Sequence, residues 1–397
     1  MDIFNKTRAL FHLPEGMTYL DGNSLGPLPY AAQERVDAMI RDQWGELLIT
    51  GWNKAGWMEQ PSRVGDRVAK LIGAEAGHVV MGDTLSIKVY QALASALELN
   101  PDRKVILSDS GNFPSDLYMA EGLIRTLDRD LELRIVEPED VEAALGDDIA
   151  VMMLTQVDYR TGRMHDMARL TALAHDAGAI AMWDLAHSAG AVPVDVAAAN
   201  ADFAVGCSYK YLNSGPGGPA FIYVAPRHAD LVNPALSGWL GHASPFAFDL
   251  NYQPGAGIER MRVGTPPVIQ LAALEAALDV WDMVDMADVR ARAVELSEMF
   301  ITEVESRCPE LKLASPRDAT QRGSQVSFTH PEGYAIMQAL IAHGVIGDFR
   351  APDILRFGIT PLYVGEADIM NAVTALQNIM DGRLWDRDAY KVRSRVT

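Results

Sequence analysis

The sequence is poor in cysteine, poor in basic residues relative to acidic ones, and free of long apolar runs. Cys207 and Cys308 are its two cysteines, too few for a disulfide framework or a four-ligand zinc site. Lysine and arginine number 34 against 53 aspartate and glutamate residues, which gives a formal net charge of −19. That charge argues against a general affinity for nucleic acid or for anionic membrane surfaces. No window approaches the roughly 18 uninterrupted apolar residues of a membrane-spanning helix.

The N-terminus also lacks the basic region and apolar stretch of a signal peptide. Together with the sparse cysteines, this predicts a cytoplasmic protein. A hydrophobic content of 49% with 22% charged residues is typical of a globular protein. Because 397 residues exceed the roughly 250–300 at which single cores split, we expect two domains.

The order of the predicted elements indicates an α/β fold. From about residue 60, helical segments alternate with short apolar strands, the pattern of a mostly parallel sheet with helices on both faces. A long helix from Gln270 towards Cys308, with a break near Asp285, leads to a smaller α+β unit. We therefore predict a large domain at residues 60–275. A small domain combines residues 1–59 with residues 276–397.

Two neighbouring apolar runs end close to groups of opposite charge. The run 178–183 leads into Asp184, and the run 201–208 leads towards Lys210. Functional groups at the carboxyl ends of buried parallel strands face the crevice where such sheets bind ligands. Pyridoxal phosphate needs a lysine to hold its aldehyde as a Schiff base and a carboxylate to keep its pyridine nitrogen protonated. An isolated Asp and Lys would more often be surface residues, but the two strands and the following Gly-rich stretch favour a cofactor site.

Two segments between a strand and a helix are candidates for further cofactor contacts. Gly82–Ser86 precedes a predicted helix, so Leu85 and Ser86 are placed to bind a phosphate; the alternative is that Ser86 is the helix N-cap. Phe113 could stack on the pyridine ring, and Asp116 could hold a polar group of the cofactor. The alternative there is a proline turn with Asp116 as a helix cap.

Four other polar or ionisable residues occur where they could contact the cofactor or the substrate. Thr155 ends a strand, and His187 follows Asp184 closely enough to orient it or to contact the cofactor's phenolate side, although a lone histidine is more often structural. Tyr209 could reach the phosphate or act as an acid. Arg356 interrupts an apolar strand, which favours either a substrate carboxylate or a structural salt bridge in equal measure.

Taken together, several motifs resemble the kynureninase family over about residues 18–380. The segments that carry this resemblance are LDGNSLGP at 20–27, FPSD at 113–116, WDLAHSAG at 183–190, CSYKYLN at 207–213, GWLGH at 238–242 and RFGITPLY at 356–363. Two of these motifs taken together, Asp-Leu-Ala-His-Ser and Cys-Ser-Tyr-Lys-Tyr-Leu-Asn, are specific to this family. Aminotransferases and cysteine desulfurases of the same fold share only the pairing of an Asp for the ring nitrogen with a Lys for the Schiff base.

The resemblance implies a fold-type-I pyridoxal phosphate enzyme, a homodimer whose active sites lie at the subunit interface. Lys210 becomes the Schiff-base lysine, Asp184 the partner of the pyridine nitrogen, and Arg356 the residue for the substrate α-carboxylate. The cofactor shell that it implies consists of Leu85, Ser86, Phe113, Asp116, Thr155, His187 and Tyr209, with Trp239 and Thr265 contributed across the dimer.

The implied reaction is hydrolysis of the Cβ–Cγ bond of L-kynurenine to anthranilate and L-alanine, in tryptophan catabolism through the kynurenine pathway and with a link to NAD biosynthesis. Lys210 is the expected base and Tyr209 the expected acid. Family members that prefer 3-hydroxykynurenine tend to carry Asn where this chain has Thr265, so we expect that compound as a secondary substrate.

The alternative reading is a class V aminotransferase or a cysteine desulfurase. A desulfurase needs a mobile nucleophilic cysteine, whereas Cys207 is misplaced for this and Cys308 precedes a proline in the second domain. A regulator or scaffold without activity would be expected to have lost Lys210 or Asp184.

Overall fold

The computed structural model describes residues 2–393. Its helices are α1 Ile3–Arg8, α2 Tyr30–Ala38, α3 Gly51–Lys54, α4 Gln60–Leu71, α5 Leu85–Leu99, α6 Pro114–Leu127, α7 Val141–Ala144, α8 Met167–Asp176, α9 Val268–Trp281, α10 Met286–Arg307, α11 Gly333–Ala342, α12 Glu366–Asp381 and α13 Asp388–Lys391. Its strands are β1 Thr18–Tyr19, β2 Val79–Met81, β3 Val105–Asp109, β4 Glu132–Val136, β5 Ile149–Thr155, β6 Ile180–Asp184, β7 Phe203–Cys207, β8 Ala220–Val224, β9 Lys312–Leu313, β10 Gln325–Thr329, β11 Val345–Ile346, β12 Asp348–Arg350 and β13 Ile354–Gly358.

A seven-stranded sheet has the order β2-β8-β7-β6-β5-β3-β4. The strands β4, β3, β5, β6 and β7 run parallel, and β8 is antiparallel to both of its neighbours. The prediction of an α/β fold with a mostly parallel sheet is therefore confirmed. Strand β7 lies within the second apolar run that the sequence indicates, and β6 overlaps the first and extends to Asp184.

The central strand β5 shows why the sheet is covered on both faces. Every residue of Ile149–Thr155 is buried. Met152 and Leu154 join the core shared with helices α4, α8 and α9, whereas Val151 and Met153 join the core shared with α5 and α6. Successive side chains of a strand point to opposite faces, so a strand that is apolar throughout needs a helix layer on each side.

The C-terminal part of the chain forms a smaller antiparallel sheet in the order β12-β13-β10-β9. Helices α9 and α10 are separate, and the Asp285 side chain caps α10 by accepting from the Ala287 N–H at 2.7 Å, so the predicted break near Asp285 is confirmed. The N-terminal segment joins this part, because β1 pairs in parallel with β11 through Thr18 opposite Val345. The boundaries 60–275 for the large domain stay a prediction.

None of the helices within residues 2–393 combines the length and the apolar character that a membrane crossing requires.

Candidate active site

Three neighbouring parallel strands deliver the central residues of the site. In the register of the sheet, Thr155 at the end of β5 lies opposite Asp184 at the end of β6, and Asp184 lies opposite Val205 of β7. Lys210 follows β7 in the turn that leaves the same edge of the sheet. The carboxylate and the amine therefore meet at the carboxyl edge, as expected from the two apolar runs.

A cavity of about 180 Å³ opens at this edge. The residues that line it are Asn23, Ser24, Leu85, Phe113, Thr155, Tyr159, Asp184, Ala186, His187, Tyr209, Lys210, Arg350 and Arg356. Eight of these belong to the set predicted from sequence. A larger groove of about 620 Å³ lies elsewhere, between α2 and the turn 213–216, but its lining is mostly apolar. We place the chemistry in the smaller cavity because the titratable groups converge there.

The Lys210 amine lies among aromatic rings and one imidazole. Its Nζ is 2.9 Å from Nε2 of His187 and 5.9 Å from the ring centroids of both Phe113 and Tyr209. The Phe113 ring meets Tyr159 edge to face at 5.1 Å. These contacts hold the amine in the cavity beside an aromatic wall on which a planar ring could stack.

Two buried carboxyl groups, Asp184 and Asp116, lie close together at this site. Asp184 Oδ1 accepts from the Ala186 N–H at 2.8 Å, and burial raises the pKa of Asp184 to about 6, against the opposing influence of the Lys210 charge. Burial and the nearby Asp184 carboxylate raise the pKa of Asp116 well above its usual range. Within residues 2–393, Asp116 Oδ2 has no hydrogen-bond partner. A protonated ring nitrogen would supply the cation that this buried pair needs, so the residues fit pyridoxal phosphate.

The proposed phosphate contacts lie at the start of α5. Thr84 is the N-cap residue and Ser86 lies in the first turn, so the alternative of Ser86 as N-cap is wrong. Ser86 Oγ is 3.0 Å from Ser115 Oγ. Backbone N–H groups of a first helical turn have no partner inside the helix, which suits an anion beside Leu85 and Ser86.

The alternative role of Asp116 as a helix cap is also wrong. Helix α6 begins at Pro114 after Phe113 as the N-cap residue, and Asp116 lies buried in the first turn. His187 lies in a turn at residues 186–190. His187 reaches the cavity, where burial and the Lys210 charge lower its pKa well below the usual range. The imidazole is therefore neutral.

Arg356 extends from β13 into the cavity and is bound to several partners. Its Nε donates to Asp348 Oδ1 at 2.6 Å, its Nη2 donates to Asp348 and to Ser24 Oγ, and its Nη1 donates to the Tyr159 carbonyl. The salt bridge considered from sequence is thus present. Arg350 also forms an ion pair with Asp348, at 2.8 Å. Because two guanidinium groups share one carboxylate, this wall keeps a net positive charge towards the cavity.

Tyr209 lies half-buried next to Lys210. The neighbouring Cys207 sulfur and burial raise the pKa of the Tyr209 hydroxyl, so the phenol is protonated and can donate. Both cysteines are buried and free, and burial raises the pKa of the Cys207 thiol.

Trp239 and Thr265 do not reach this cavity within one chain. Trp239 is 39% exposed and packs edge to face against Trp52 and Phe246. Thr265 lines a separate small cavity together with Asp83 and Lys88. Their contribution across a dimer stays a prediction.

Sequence reasoning missed five residues of the cavity wall: Asn23, Ser24, Tyr159, Ala186 and Arg350. Asn23 and Ser24 belong to the LDGNSLGP motif that carries part of the resemblance, so a signal was present for them. Tyr159 lies in a loop and Arg350 on the edge strand β12, where no spacing indicates that they approach Lys210.

The fold is similar to that of two solved structures. The fold superposes on the apo structure of a cysteine desulfurase from Thermococcus onnurineus with a TM-score of 0.81 and 19% identity, covering 96% of this chain and 99% of that one. A C-DES mutant with glycine covalently linked to its PLP cofactor gives a TM-score of 0.80 at 20% identity, covering 94% and 99% of the two chains. At these identities the likeness shows the fold alone.

Sequence relatives are more specific. The family model described as Kynureninase C-terminal domain matches residues 289–376. The chain is 51% identical to the kynureninase of Pseudomonas fluorescens, over 98% of this chain and 95% of that protein. It has the same identity and coverage with the kynureninase of Burkholderia pseudomallei. This chain therefore belongs to the kynureninase family.

Proposed function

We propose that the chain is a pyridoxal phosphate-dependent hydrolase that cleaves the Cβ–Cγ bond of L-kynurenine to give anthranilate and L-alanine. One observation carries the proposal: the Lys210 amine, the buried Asp184 carboxylate and the Arg356 guanidinium line a single cavity. An amino acid held by its carboxylate at Arg356 would present its amine and Cα to Lys210. The membership of the kynureninase family selects this reaction among those that such a site supports.

Pyridoxal phosphate, when bound, supplies the electron sink that lets bonds at Cα and Cβ break. Lys210 would hold its aldehyde, and its amine would serve as a base beside the substrate Cα. Asp184 keeps the ring nitrogen protonated. Tyr209 carries a proton on its hydroxyl next to Lys210 and is the proposed acid on the Cβ side.

The charge of the cavity wall supports an anionic group on the substrate. Arg350 and Arg356 both pair with Asp348, while His187 is neutral. Asp21 is only about half ionised at pH 7, because burial and the Asp348 carboxylate raise its pKa to about 7. A planar guanidinium suits a carboxylate better than an ammonium does. The α-carboxylate of an amino acid matches this wall.

A homodimer with shared sites is part of the proposal. Trp239, Phe246 and Phe248 form a patch of exposed aromatic side chains that contact one another edge to face. Soluble monomers rarely expose contiguous apolar patches of this kind, so a second copy of the chain is the proposed cover. The cytoplasmic location and the secondary use of 3-hydroxykynurenine likewise remain predictions.

The buried cysteines weigh against the desulfurase alternative. A nucleophilic cysteine needs an exposed thiol with a lowered pKa, whereas Cys207 is buried with a raised one, and Cys308 is buried in the C-terminal part.

The test combines cofactor attachment with product formation. The purified chain is treated with borohydride and mapped by mass spectrometry, and anthranilate fluorescence is followed with L-kynurenine. We expect the added cofactor mass at Lys210 and loss of both signals in Lys210→Ala. Lys104→Ala is the control, because Lys104 is an exposed lysine paired with Asp130 at the surface. Anthranilate production by Lys210→Ala at the unaltered rate would reject the proposal.

A further inference from the structure

Gln325 connects the small antiparallel sheet to the residues around Lys210. It is the first residue of β10, and its side chain is fully buried. Its amide reaches His187 on one side and the backbone carbonyl of Tyr159 on the other. Gln325 does not line the cavity itself, so it acts on the site through these two neighbours.

The orientation of the Gln325 amide follows from its partners. The Tyr159 carbonyl oxygen can only accept, so the group that faces it at 3.0 Å is the amide Nε2. The other end of the amide, Oε1, therefore faces Nδ1 of His187 at 3.1 Å. This assignment rests on the chemistry of a carbonyl and holds however the two amide ends are labelled.

The amide orientation fixes the tautomer of His187. Because Oε1 can only accept, Nδ1 of the imidazole must carry the hydrogen. Burial and the Lys210 charge keep the ring neutral, which leaves Nε2 with a lone pair. That lone pair faces Lys210 Nζ at 2.9 Å and accepts from it.

We propose that Gln325 is a positioning residue that holds His187 in its Nδ1–H tautomer, so that Nε2 presents an acceptor beside Lys210. The inference deepens the proposed function, on which it rests for the role of Lys210. In the opposite tautomer, an N–H would face the amine, where it would favour the neutral amine and oppose the ammonium ion.

The choice of Gln rather than Glu has a reason in the same geometry. The Tyr159 carbonyl accepts from both Gln325 Nε2 and Arg356 Nη1. A carboxylate at position 325 would still accept from His187 but would repel that carbonyl. Gln325 also lies opposite Gly358 on β13, two residues from Arg356. The Tyr159 carbonyl thus contacts both Arg356, the residue proposed for the substrate carboxylate, and Gln325, the residue proposed to set the His187 tautomer.

Nitrogen NMR of the full chain labelled with ¹⁵N-histidine, freed of cofactor, tests the inference without using activity. The His187 signals are identified by their loss in a His187→Asn variant. We expect the unaltered chain to show a protonated Nδ1 and an unprotonated Nε2. Gln325→Met, which has a similar size and no amide, should move the Nε2 signal towards the protonated range. Gln325→Glu keeps the acceptor and should retain the Nδ1–H tautomer.

Ser327→Ala is the matched control. Ser327 lies on the same strand and donates to the Arg160 carbonyl at 2.6 Å, so its removal loosens β10 against the same loop without touching His187. It should leave the His187 signals in place. An unprotonated Nδ1 in the unaltered chain, an unmoved Nε2 signal in Gln325→Met, or an equal shift in Ser327→Ala would overturn the inference. If Gln325→Met does not fold, the test passes to Gln325→Glu: loss of the Nδ1–H tautomer in that variant would also overturn the inference.

A second measurement reports on Lys210. In the chain without cofactor, acylation of Lys210 at pH 7, followed by mass spectrometry, should be faster in Gln325→Met than in the unaltered chain, because an N–H in place of a lone pair favours the reactive neutral amine. With cofactor and L-kynurenine, kcat should fall roughly tenfold, the scale of one misdirected hydrogen bond, with little change in KM. A slower acylation in Gln325→Met would contradict the tautomer assignment even if kcat falls. Failure of the kynurenine assay alone would count against the proposed function and not against Gln325.

Discussion

Arg356 and Asp348 lie directly opposite each other on the antiparallel strands β13 and β12, and Arg356 Nε donates to Asp348 Oδ1 at 2.6 Å. Both side chains are almost fully buried. Arg350 forms an ion pair with the same carboxylate, so the three side chains together are not neutral. A buried cation that is only partly compensated favours an anion in the adjacent cavity. The salt bridge and the binding of a substrate carboxylate are therefore compatible roles of Arg356.

The first prediction concerns Arg356→Lys. A lysine lacks the planar fork needed to hold Asp348 on one side and a carboxylate on the other. We expect capture of L-kynurenine to weaken by more than about 2 kcal/mol, on the order of thirtyfold in kcat/KM. Cofactor binding should survive, because the proposed phosphate contacts lie at the start of α5. Anthranilate fluorescence measures the first effect and the visible cofactor absorbance the second.

Arg322→Lys controls for the cost of altering any buried arginine. Arg322 is as buried as Arg356, donates to Glu298 at 2.5 Å, and lies outside the cavity. It should lower thermal stability without raising KM. A near-normal kcat/KM in Arg356→Lys would reject Arg356 as the carboxylate site.

The second prediction concerns Asp184 and pH. The folded-state pKa of about 6 exceeds the ordinary value of 3.8, so in the chain without cofactor Asp184 stays protonated up to a higher pH than in the unfolded chain. This contribution to stability is full below about pH 4 and is lost as pH rises through about 6. The cofactor's ring nitrogen needs the ionised form. We therefore expect the rise in melting temperature on adding pyridoxal phosphate to grow between pH 5 and pH 7.

Asp184→Asn should flatten that pH dependence. It should also lower kcat more than it raises KM, because an Asn would not keep the ring nitrogen protonated and the cofactor would be a weaker electron sink. Asp116→Asn is the matched comparison. Because the pKa of Asp116 is raised well above its usual range, Asn resembles its protonated form, and kcat should fall less than in Asp184→Asn. The reverse order would mean that Asp116 is the ionised partner of the ring. An unchanged kcat with a raised KM in Asp184→Asn would point to another role for Asp184.

The strands of the large sheet could be predicted because a buried parallel strand leaves a local trace. The segment around β6 is apolar along its whole length, and its end places Asp184 at the ligand edge without further information. The direction of a strand within the sheet leaves no such trace in the sequence. Strand β8 is as apolar as β7, and nothing in its sequence shows that it runs antiparallel to its neighbours.

Contacts between distant elements could not be predicted for a related reason. Gln325 reaches His187 only because β10 packs against the loop at Tyr159, and no periodicity encodes that packing. The exact starts of helices were also out of reach: the N-cap residues are Thr84 and Phe113, two and three residues before Ser86 and Asp116, which were considered as caps. The alternatives for Arg356 could not be separated because the sequence does not show Asp348 on the neighbouring strand.

The third prediction concerns sharing of sites between two copies. Lys210→Ala and Trp239→Ala should each be nearly inactive alone if Trp239 reaches the partner's site. Mixing them creates dimers in which one site carries both changes and the other carries neither. When half of the dimers are mixed, about a quarter of the unaltered activity should return. Hybrids purified with two affinity tags should show about half of the unaltered activity, because one of their two sites is intact. Absence of recovery in verified hybrids would place Trp239 in the site of its own chain.

The last prediction concerns Thr265 and the choice of substrate. Thr265 is exposed in a single chain, as a residue that completes a partner's site would be. Replacing it by Asn adds an amide that can hydrogen-bond a ring hydroxyl, and a site that bonds a hydroxyl discriminates against the analogue without one.

We expect the unaltered enzyme to prefer L-kynurenine and Thr265→Asn to shift the ratio of kcat/KM values towards 3-hydroxykynurenine by about tenfold, the scale of one hydrogen bond. Thr374→Asn, at an exposed position on α12, controls for the substitution itself. The two substrates are compared by absorbance of the released aromatic acids under identical conditions. A preference of the unaltered enzyme for the hydroxylated compound would show that Thr265 does not set the selectivity, because the residue expected to disfavour that compound would already be in place.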